Sequence, residues 1–242
     1  ADLFLINPAG IILGENARLD IGGSFYGSSA SSILFEEGEF SAADLENPPL
    51  LTVNAPIGLG FRDNPGDITN RANFGLVEQT FEQEVDSEII EVSRVTDIKG
   101  LEVDPGENIA LIGGDILLEG SGINAPGGNI TLGGLSGAGE VLINADGSFS
   151  FPDDVIKADL SLSDSALVSI IDDGGGSINI DVNNLRAIEQ SRILSGIAED
   201  MGNPNAVGGD IIINADESVT LIGSGLFEEP ELDLDTSIRS IV

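Results

Sequence analysis

Apolar residues in this chain recur at every second position over short windows, and that period constrains the fold more than any other feature. Ile116/Leu118, Ile130/Leu132, Val141/Ile143, Phe149/Phe151, Ile178/Ile180, Ile211/Ile213 and Val219/Leu221 are such pairs. Side chains two apart on a strand share a face, so each pair can enter a core while its neighbours meet water. Thr131, Ser150, Asn179 and Thr220 are polar outward partners, whereas Leu117, Leu142 and Ile212 are apolar exceptions. Residues 185–194 come closest to a helix, with Leu185, Ile188 and Ile193 near helical spacing. Against the strand-like remainder that signal is weak, and the chain reads as all-β.

The windows also repeat. Gly113-Gly114-Asp115-Ile116, Gly127-Gly128-Asn129-Ile130, Gly175-Gly176-Ser177-Ile178 and Gly208-Gly209-Asp210-Ile211 share one pattern, Gly-Gly, a polar residue, then Ile. A longer pair runs from Leu142-Ile143-Asn144-Ala145-Asp146 to Ile212-Ile213-Asn214-Ala215-Asp216, an offset of 70. From Gly128 to Gly176 the offset is 48. Offsets of 70 and 48 suggest three and two multiples of ~23, a plausible length for one turn of a solenoid. The remaining spacings of 14 and 33 fit only if one falls inside a coil and the other carries an insertion.

Two architectures can use such strands. A β-sandwich turns through hairpins, for which Asp146-Gly147 is the strongest signal present. A parallel β-helix turns corners, where glycine allows positive φ or close backbone approach. The recurrent Gly-Gly pairs favour the β-helix, and Asn144 and Asn214 suit its corners or stacked ladders. Pro48, Pro49, Pro56 and Pro65 interrupt the pattern. Residues 40–110 therefore leave the solenoid in an extra-helical hairpin or flap, and residues 88–99 read as re-entry into strands.

Composition removes whole classes of chemistry. The chain has no Cys and no His, so it can build neither a Ser-His-Asp or Cys-His nucleophile nor a zinc, haem or iron–sulfur site from those ligands. With 42 Asp and Glu against 9 Lys and Arg, the net charge of −33 makes nucleic acid a poor partner. A hydrophobic share of 41% argues against disorder, and no apolar run approaches the ~20 residues of a membrane span. The opening Ala1-Asp2-Leu3-Phe4 begins in strand-like sequence without a basic, signal-like start. The chain reads as a segment of something longer.

Leu3-Phe4-Leu5-Ile6-Asn7-Pro8-Ala9-Gly10-Ile11-Ile12 resembles the NPNGI segment of filamentous-haemagglutinin-like exoproteins, with Ala9 where that family often has Asn. The likeness continues through Ala17-Arg18-Leu19-Asp20-Ile21-Gly22-Gly23-Ser24-Phe25 and Pro48-Pro49-Leu50-Leu51-Thr52-Val53-Asn54-Ala55-Pro56. Residues 1–62 resemble the later part of a two-partner-secretion domain of cyanobacterial type, and residues 170–223 are similar to the family's downstream repeats. Residues 63–110 match little.

The resemblance implies a right-handed parallel β-helix. It implies export through periplasm and outer membrane of a Gram-negative-type bacterium, by a β-barrel transporter whose POTRA domains recognise the secretion domain. An adhesin-like role at the cell surface, with a cell-surface or carbohydrate ligand, is part of the same expectation. Asn7, Pro8, Gly10 and Ile11 are then the candidate secretion motif; on elementary grounds they form a turn between two strands. The expected organisation is 1–62 secretion domain, 63–110 irregular insertion and re-entry strands, and 111–242 β-helix coils. No cofactor is expected.

The alternative is a carbohydrate-active β-helix enzyme using paired carboxylates about 5–9 Å apart. Glu36-Glu37, Asp153-Asp154, Asp172-Asp173 and the acidic run at 228–235 lack the spacing of a calcium loop and read as solvated faces. Gly120-Ser121-Gly122-Ile123-Asn124-Ala125 mimics a dinucleotide fingerprint, but Pro126-Gly127-Gly128 follows where a helix is required.

Overall fold

The computed structural model describes residues 1–42, 55–73, 76–85, 88–98, 100–198, 201–202, 205–223 and 236–241. These residues contain strands and turns and no helix.

The chain winds as a succession of coils. The first holds β1 (Leu3–Ile6) and β2 (Ile11–Leu13). The second runs from β3 (Phe25–Ser28) through an excursion of β4 (Ser32–Phe35), β5 (Gly38–Ser41) and β6 (Gly58–Phe61) to β7 (Ile68–Asn70). It leaves again as β8 (Leu76–Val85) and β9 (Glu88–Ile98) and closes with β10 (Leu101–Glu102). The third coil is uninterrupted: β11 (Ile109–Gly113), β12 (Ile116–Glu119) and β13 (Gly122–Asn124). The fourth is β14 (Asn129–Gly134), an excursion of β15 (Gly139–Ile143) and β16 (Phe149–Ser150), then β17 (Leu160–Ser163) and β18 (Leu167–Ser169). Long strands open the last two coils, β19 (Ser177–Ile188) before β20 (Arg192–Gly196), and β21 (Asp210–Ile222) before β22 (Ser237–Ile241).

Coils stack in parallel register and form the three faces of a β-helix. On the first face Leu3, Phe25, Ile109, Ile130, Ile178 and Ile211 make one column. The second face aligns Ile11, Ile68, Ile116, Leu160, Leu185 and Val219. The third aligns Leu101, Ile123, Val168, Ile193 and Ile238. These columns point inward, and their members in the middle coils form a single buried core. The period-two pairs at β12, β14 and the start of β19 are fully buried, as alternation requires. Val219 and Leu221 sit on the inward side of the second face but are 48% and 46% exposed, because β21 has a neighbouring strand on one side only, β19, among the described residues. Ile211 is half-buried for the same reason.

The repeat length comes out shorter than the offsets suggest. Uninterrupted coils advance 22 residues from Leu3 to Phe25 and 21 from Ile109 to Ile130. The offset of 48 is one coil, not two, since Ile130 lies directly beside Ile178 and the excess is the β15–β16 excursion. The spacing of 14 is less than one coil and joins two different corners, Gly114 preceding β12 of the third coil and Gly128 preceding β14, which opens the fourth. The 70-residue match is not a structural repeat: Leu142 belongs to an antiparallel strand outside the solenoid, whereas Ile212 belongs to a parallel coil. Asn144 accordingly closes a hairpin, its backbone N–H donating to the Ser148 carbonyl at 2.9 Å, while the Asn214 amide reaches Asp181 on the neighbouring coil at 3.2 Å.

The helix candidate fails for a local reason. Leu185 and Ala187 point inward as strand neighbours, and the chain then turns a corner at Glu189 and Gln190, both with positive φ. Asp164 and Ser165 do the same one coil earlier. Two successive left-handed residues end any regular run.

Two excursions leave the solenoid. β8 and β9 pair antiparallel with each other, so residues 88–98, expected as re-entry strands, are the return arm of a hairpin; re-entry comes at β10. The second excursion is composite. β4, β5 and β6 from the second coil and β15 and β16 from the fourth build one five-stranded antiparallel sheet, joined where Gly58–Phe61 pairs with Gly139–Leu142. Leu59, Phe61 and Val141 from this sheet, with Leu135 just beyond β14, bury themselves on Ala110 and Ile112, which point outward from the first face. Asp146-Gly147 is indeed a hairpin turn, with Gly147 at φ +81°, but it decorates a β-helix rather than a sandwich.

Candidate recognition corner

Asn7, Pro8, Ala9 and Gly10 turn the first coil from its first face to its second. The Gly10 N–H donates to the Asn7 carbonyl at 2.9 Å, closing a β-turn, and the Ala9 N–H donates to Asn7 Oδ1 at 3.2 Å. Asn supplies that Asx turn and Pro presets the following φ. Gly10 is required twice over. Its φ is +102°, and a Cβ there would lie 2.6 Å from the Asp67 carbonyl oxygen. Ile11 follows immediately and enters the core at 7% exposure.

The turn is seated on the corresponding corner of the second coil. Gly66 N–H donates to the Pro8 carbonyl at 3.1 Å, and Ile11 N–H donates to the Asp67 carbonyl at 3.0 Å. Gly114 N–H in turn donates to the Gly66 carbonyl at 3.0 Å. A Cβ on Gly66 would fall within 2.3 Å of Ala9 and Gly10 backbone. The Gly-Gly signature is thus a packing requirement: backbones stack at this corner with no room for a side chain. Asn7, Pro8, Gly10 and Ile11, the candidate motif residues, lie together here, Asn7 exposed and Pro8 and Gly10 half-buried.

A carboxylate ladder runs along the next position. Asp67 Oδ1 accepts the Asp115 N–H at 3.1 Å, Asp115 Oδ1 accepts the Asp159 N–H at 3.0 Å, and Asp159 Oδ1 accepts both the backbone and side-chain N–H of Asn184 at 3.0 Å. Ser24, Asn108, Asn129 and Ser177 form a second ladder before the first face. The Asn108 N–H reaches Ser24 Oγ at 2.9 Å and the Asn129 N–H reaches Asn108 Oδ1 at 2.8 Å. Corners leave backbone donors without strand partners, and these side chains satisfy them. The signal was present in the sequence as a polar residue before each inward Ile or Leu.

The acidic clusters show no convergence. Glu36, Glu37, Asp153, Asp154 and Asp173 are exposed, and the run at 228–235 lies outside the described residues. No group of three or more His, Cys, Asp or Glu able to hold a metal occurs among the described residues. Outward carboxylates on successive coils exist at Asp67, Asp115 and Asp159, but one oxygen of each is engaged with the backbone of the next coil. The buried cation Lys157 donates to Asp216 at 2.9 Å and lies 3.6 Å from Asp181, tying the β15–β16 excursion to the last two coils. No helix among the described residues is long and apolar enough to cross a membrane.

Comparison with known proteins gives one family. The model of the TPS secretion domain matches residues 1–180, which is the first four coils and the opening of β19. The match runs straight through residues 63–110, where the sequence resemblance faded because the excursions there interrupt the coil period. No curated protein and no solved structure matches. Covering three-quarters of the chain with one family, on a parallel β-helix, places this protein in the secreted exoproteins of two-partner secretion: it belongs to the TPS secretion domain family.

Proposed function

We propose that this chain is the address and folding template of its exoprotein. An outer-membrane β-barrel transporter takes it up through periplasmic POTRA domains, and the Asn7-Pro8-Ala9-Gly10 corner presents the strands that are recognised. The single observation carrying this reading is the family match over residues 1–180, which places the corner inside a secretion domain. The structure supplies a physical rationale. Each coil offers the next a complete row of backbone partners, so folding can advance coil by coil as the chain emerges. The absence of Cys leaves no disulfide to form before export, and the charge of −33 keeps the unfolded chain soluble by self-repulsion. In the assembled exoprotein the solenoid leads into an adhesin-like β-helix at the surface of a Gram-negative-type cell.

The test is binding of this chain to purified POTRA domains of its transporter. Gly10→Val places a branched side chain against Asp67 at a positive-φ position, and we expect it to weaken binding by about tenfold or more, with exposed Val207→Ala as the neutral control. Equal affinities for wild type and Gly10→Val, with the solenoid intact by circular dichroism, would remove the corner from the address.

A further inference from the structure

Asp-Gly occurs twice in this chain, at Asp146-Gly147 and Asp173-Gly174, and the fold treats the two in opposite ways. In this dipeptide the glycine carries no Cβ, so its nitrogen can close on the carboxyl carbon of the preceding side chain. Closure needs a neutral carboxyl, a backbone N–H free of an acceptor, and a backbone able to rotate between the two residues. At the tip of the β15–β16 hairpin all three are withheld. Asp146 Oδ1 accepts the Ser148 O–H at 2.6 Å and the Ser148 N–H at 3.0 Å. These bonds, the side-chain one foremost, hold the Asp146 carboxyl below the usual carboxylate range and so in its charged form. The Gly147 N–H donates to the Asn144 carbonyl at 2.9 Å, and the Asn144 side-chain amide donates to Ser148 Oγ and Ser150 Oγ, each at 2.9 Å. The turn is pinned from both arms.

The corner between the fourth and fifth coils withholds none of them. Asp173 is exposed, and neither its carboxylate nor the Gly174 N–H has a hydrogen-bond partner among the described residues. Three successive glycines follow it, Gly174, Gly175 and Gly176, with φ of +132°, +88° and +74°. The corner from Ser169 to Ser177 is three residues longer than its counterpart from Asn124 to Asn129, so the segment carrying Asp173 is additional to the coil period. The stack takes hold again only after the pair: the Gly175 N–H donates to the Val207 carbonyl at 2.8 Å, and a Cβ on Gly176 would lie 2.1 Å from the Gly128 carbonyl oxygen.

We propose that Asp173-Gly174 is a site of spontaneous covalent modification, at which Asp173 converts to isoaspartate, while the hairpin preserves Asp146-Gly147. The Gly174 nitrogen attacks Cγ of the protonated Asp173 carboxyl. An N–Cγ bond forms, and one carboxyl oxygen leaves as water, taking the acid proton and the amide proton. Water then adds to the main-chain carbonyl carbon of Asp173 in the resulting succinimide. The bond from that carbon to the Gly174 nitrogen breaks, and the nitrogen regains a proton. The chain now runs through Cβ and Cγ of residue 173, a free α-carboxylate is left, and the mass is unchanged. The backbone is one atom longer at this corner. The proposal is independent of the transporter reading, since it uses neither the Asn7–Gly10 corner nor the family match.

The test is an ageing series on the purified full chain in mildly acidic to neutral buffer. Trypsin cuts after Lys99, Lys157 and Arg186, so Asp146 and Asp173 fall on separate peptides, residues 100–157 and 158–186. Isoaspartate in each is counted by methyl transfer from labelled S-adenosylmethionine with a protein isoaspartyl methyltransferase, and placed by fragmentation mass spectrometry. The native chain is expected to accumulate it in 158–186 several-fold faster than in 100–157, and unfolding in urea should bring the two rates together. Asp173→Glu loses no described partner, so it should keep the melting temperature while abolishing the signal from 158–186, because the larger ring closes far more slowly. Ser148→Ala should raise the signal from 100–157 several-fold in the native chain; an unchanged signal would overturn the protection assigned to the hairpin. The proposal is overturned if the native chain shows no isoaspartate in 158–186, if both peptides age at the same rate without urea, or if Asp173→Glu leaves the signal in place.

Discussion

Val141→Asp is expected to detach the composite five-stranded sheet from the solenoid at a cost of several kcal/mol. Val141 is fully buried in the cluster formed with Leu59, Phe61, Ala110 and Ile112. The side chains around it are apolar, so a carboxylate there must either stay protonated or drive the site open. The consequence is not confined to the fourth coil. Val141 pairs with Leu59, so the mutation breaks the junction between excursions that leave the solenoid two coils apart. Hydrogen exchange should therefore show faster exchange in both β6 and β15, while β12 and β17 on the second face stay protected. Protection unchanged in β6 would mean that the two excursions are held independently.

Ile130→Ala is expected to destabilise the whole solenoid by about 2–5 kcal/mol. Ile130 is fully buried at the centre of the first-face column, with Ile109 on one side and Ile178 on the other. Truncation leaves a cavity that the stacked strands cannot close, because their backbone spacing is fixed by the parallel ladder. Ile212→Ala, two coils further on but outward and 46% exposed, should stay within about 0.5 kcal/mol. The pair is read by thermal or denaturant unfolding of the two variants beside wild type. Equal losses would contradict the inward columns; a loss at Ile212 alone would invert the register.

What was legible in the sequence follows the range of each signal. Alternation at Ile116/Leu118, Ile130/Leu132 and Ile178/Ile180 identifies inward positions, because the period of two is a local property of the strand. The Gly-Gly pairs mark corners, because stacked backbones there exclude a Cβ: one on Gly66 or Gly114 would strike the neighbouring coil. Pairing partners are another matter. Leu142-Ile143-Asn144-Ala145-Asp146 and Ile212-Ile213-Asn214-Ala215-Asp216 share residues, yet one forms an antiparallel hairpin and the other a parallel coil. Period two is common to both and carries no information about direction. The junction of Gly58–Phe61 with Gly139–Leu142 is equally silent, since it links segments some 80 residues apart through tertiary packing. The Asp67, Asp115 and Asp159 ladder lay in plain view, but the excursions between its members hid the repeat that would have aligned them.

The central claim is that residues 1–180 act as a secretion domain, and export measures it most directly. This chain is expressed behind a signal peptide, with and without a two-partner-secretion transporter, and with residues 1–180 intact or removed; periplasm and medium are then compared by immunoblot. The account predicts release into the medium only when the transporter and residues 1–180 are both present, with the truncated protein held in the periplasm. Release of the truncated protein at the level of the intact one would contradict it.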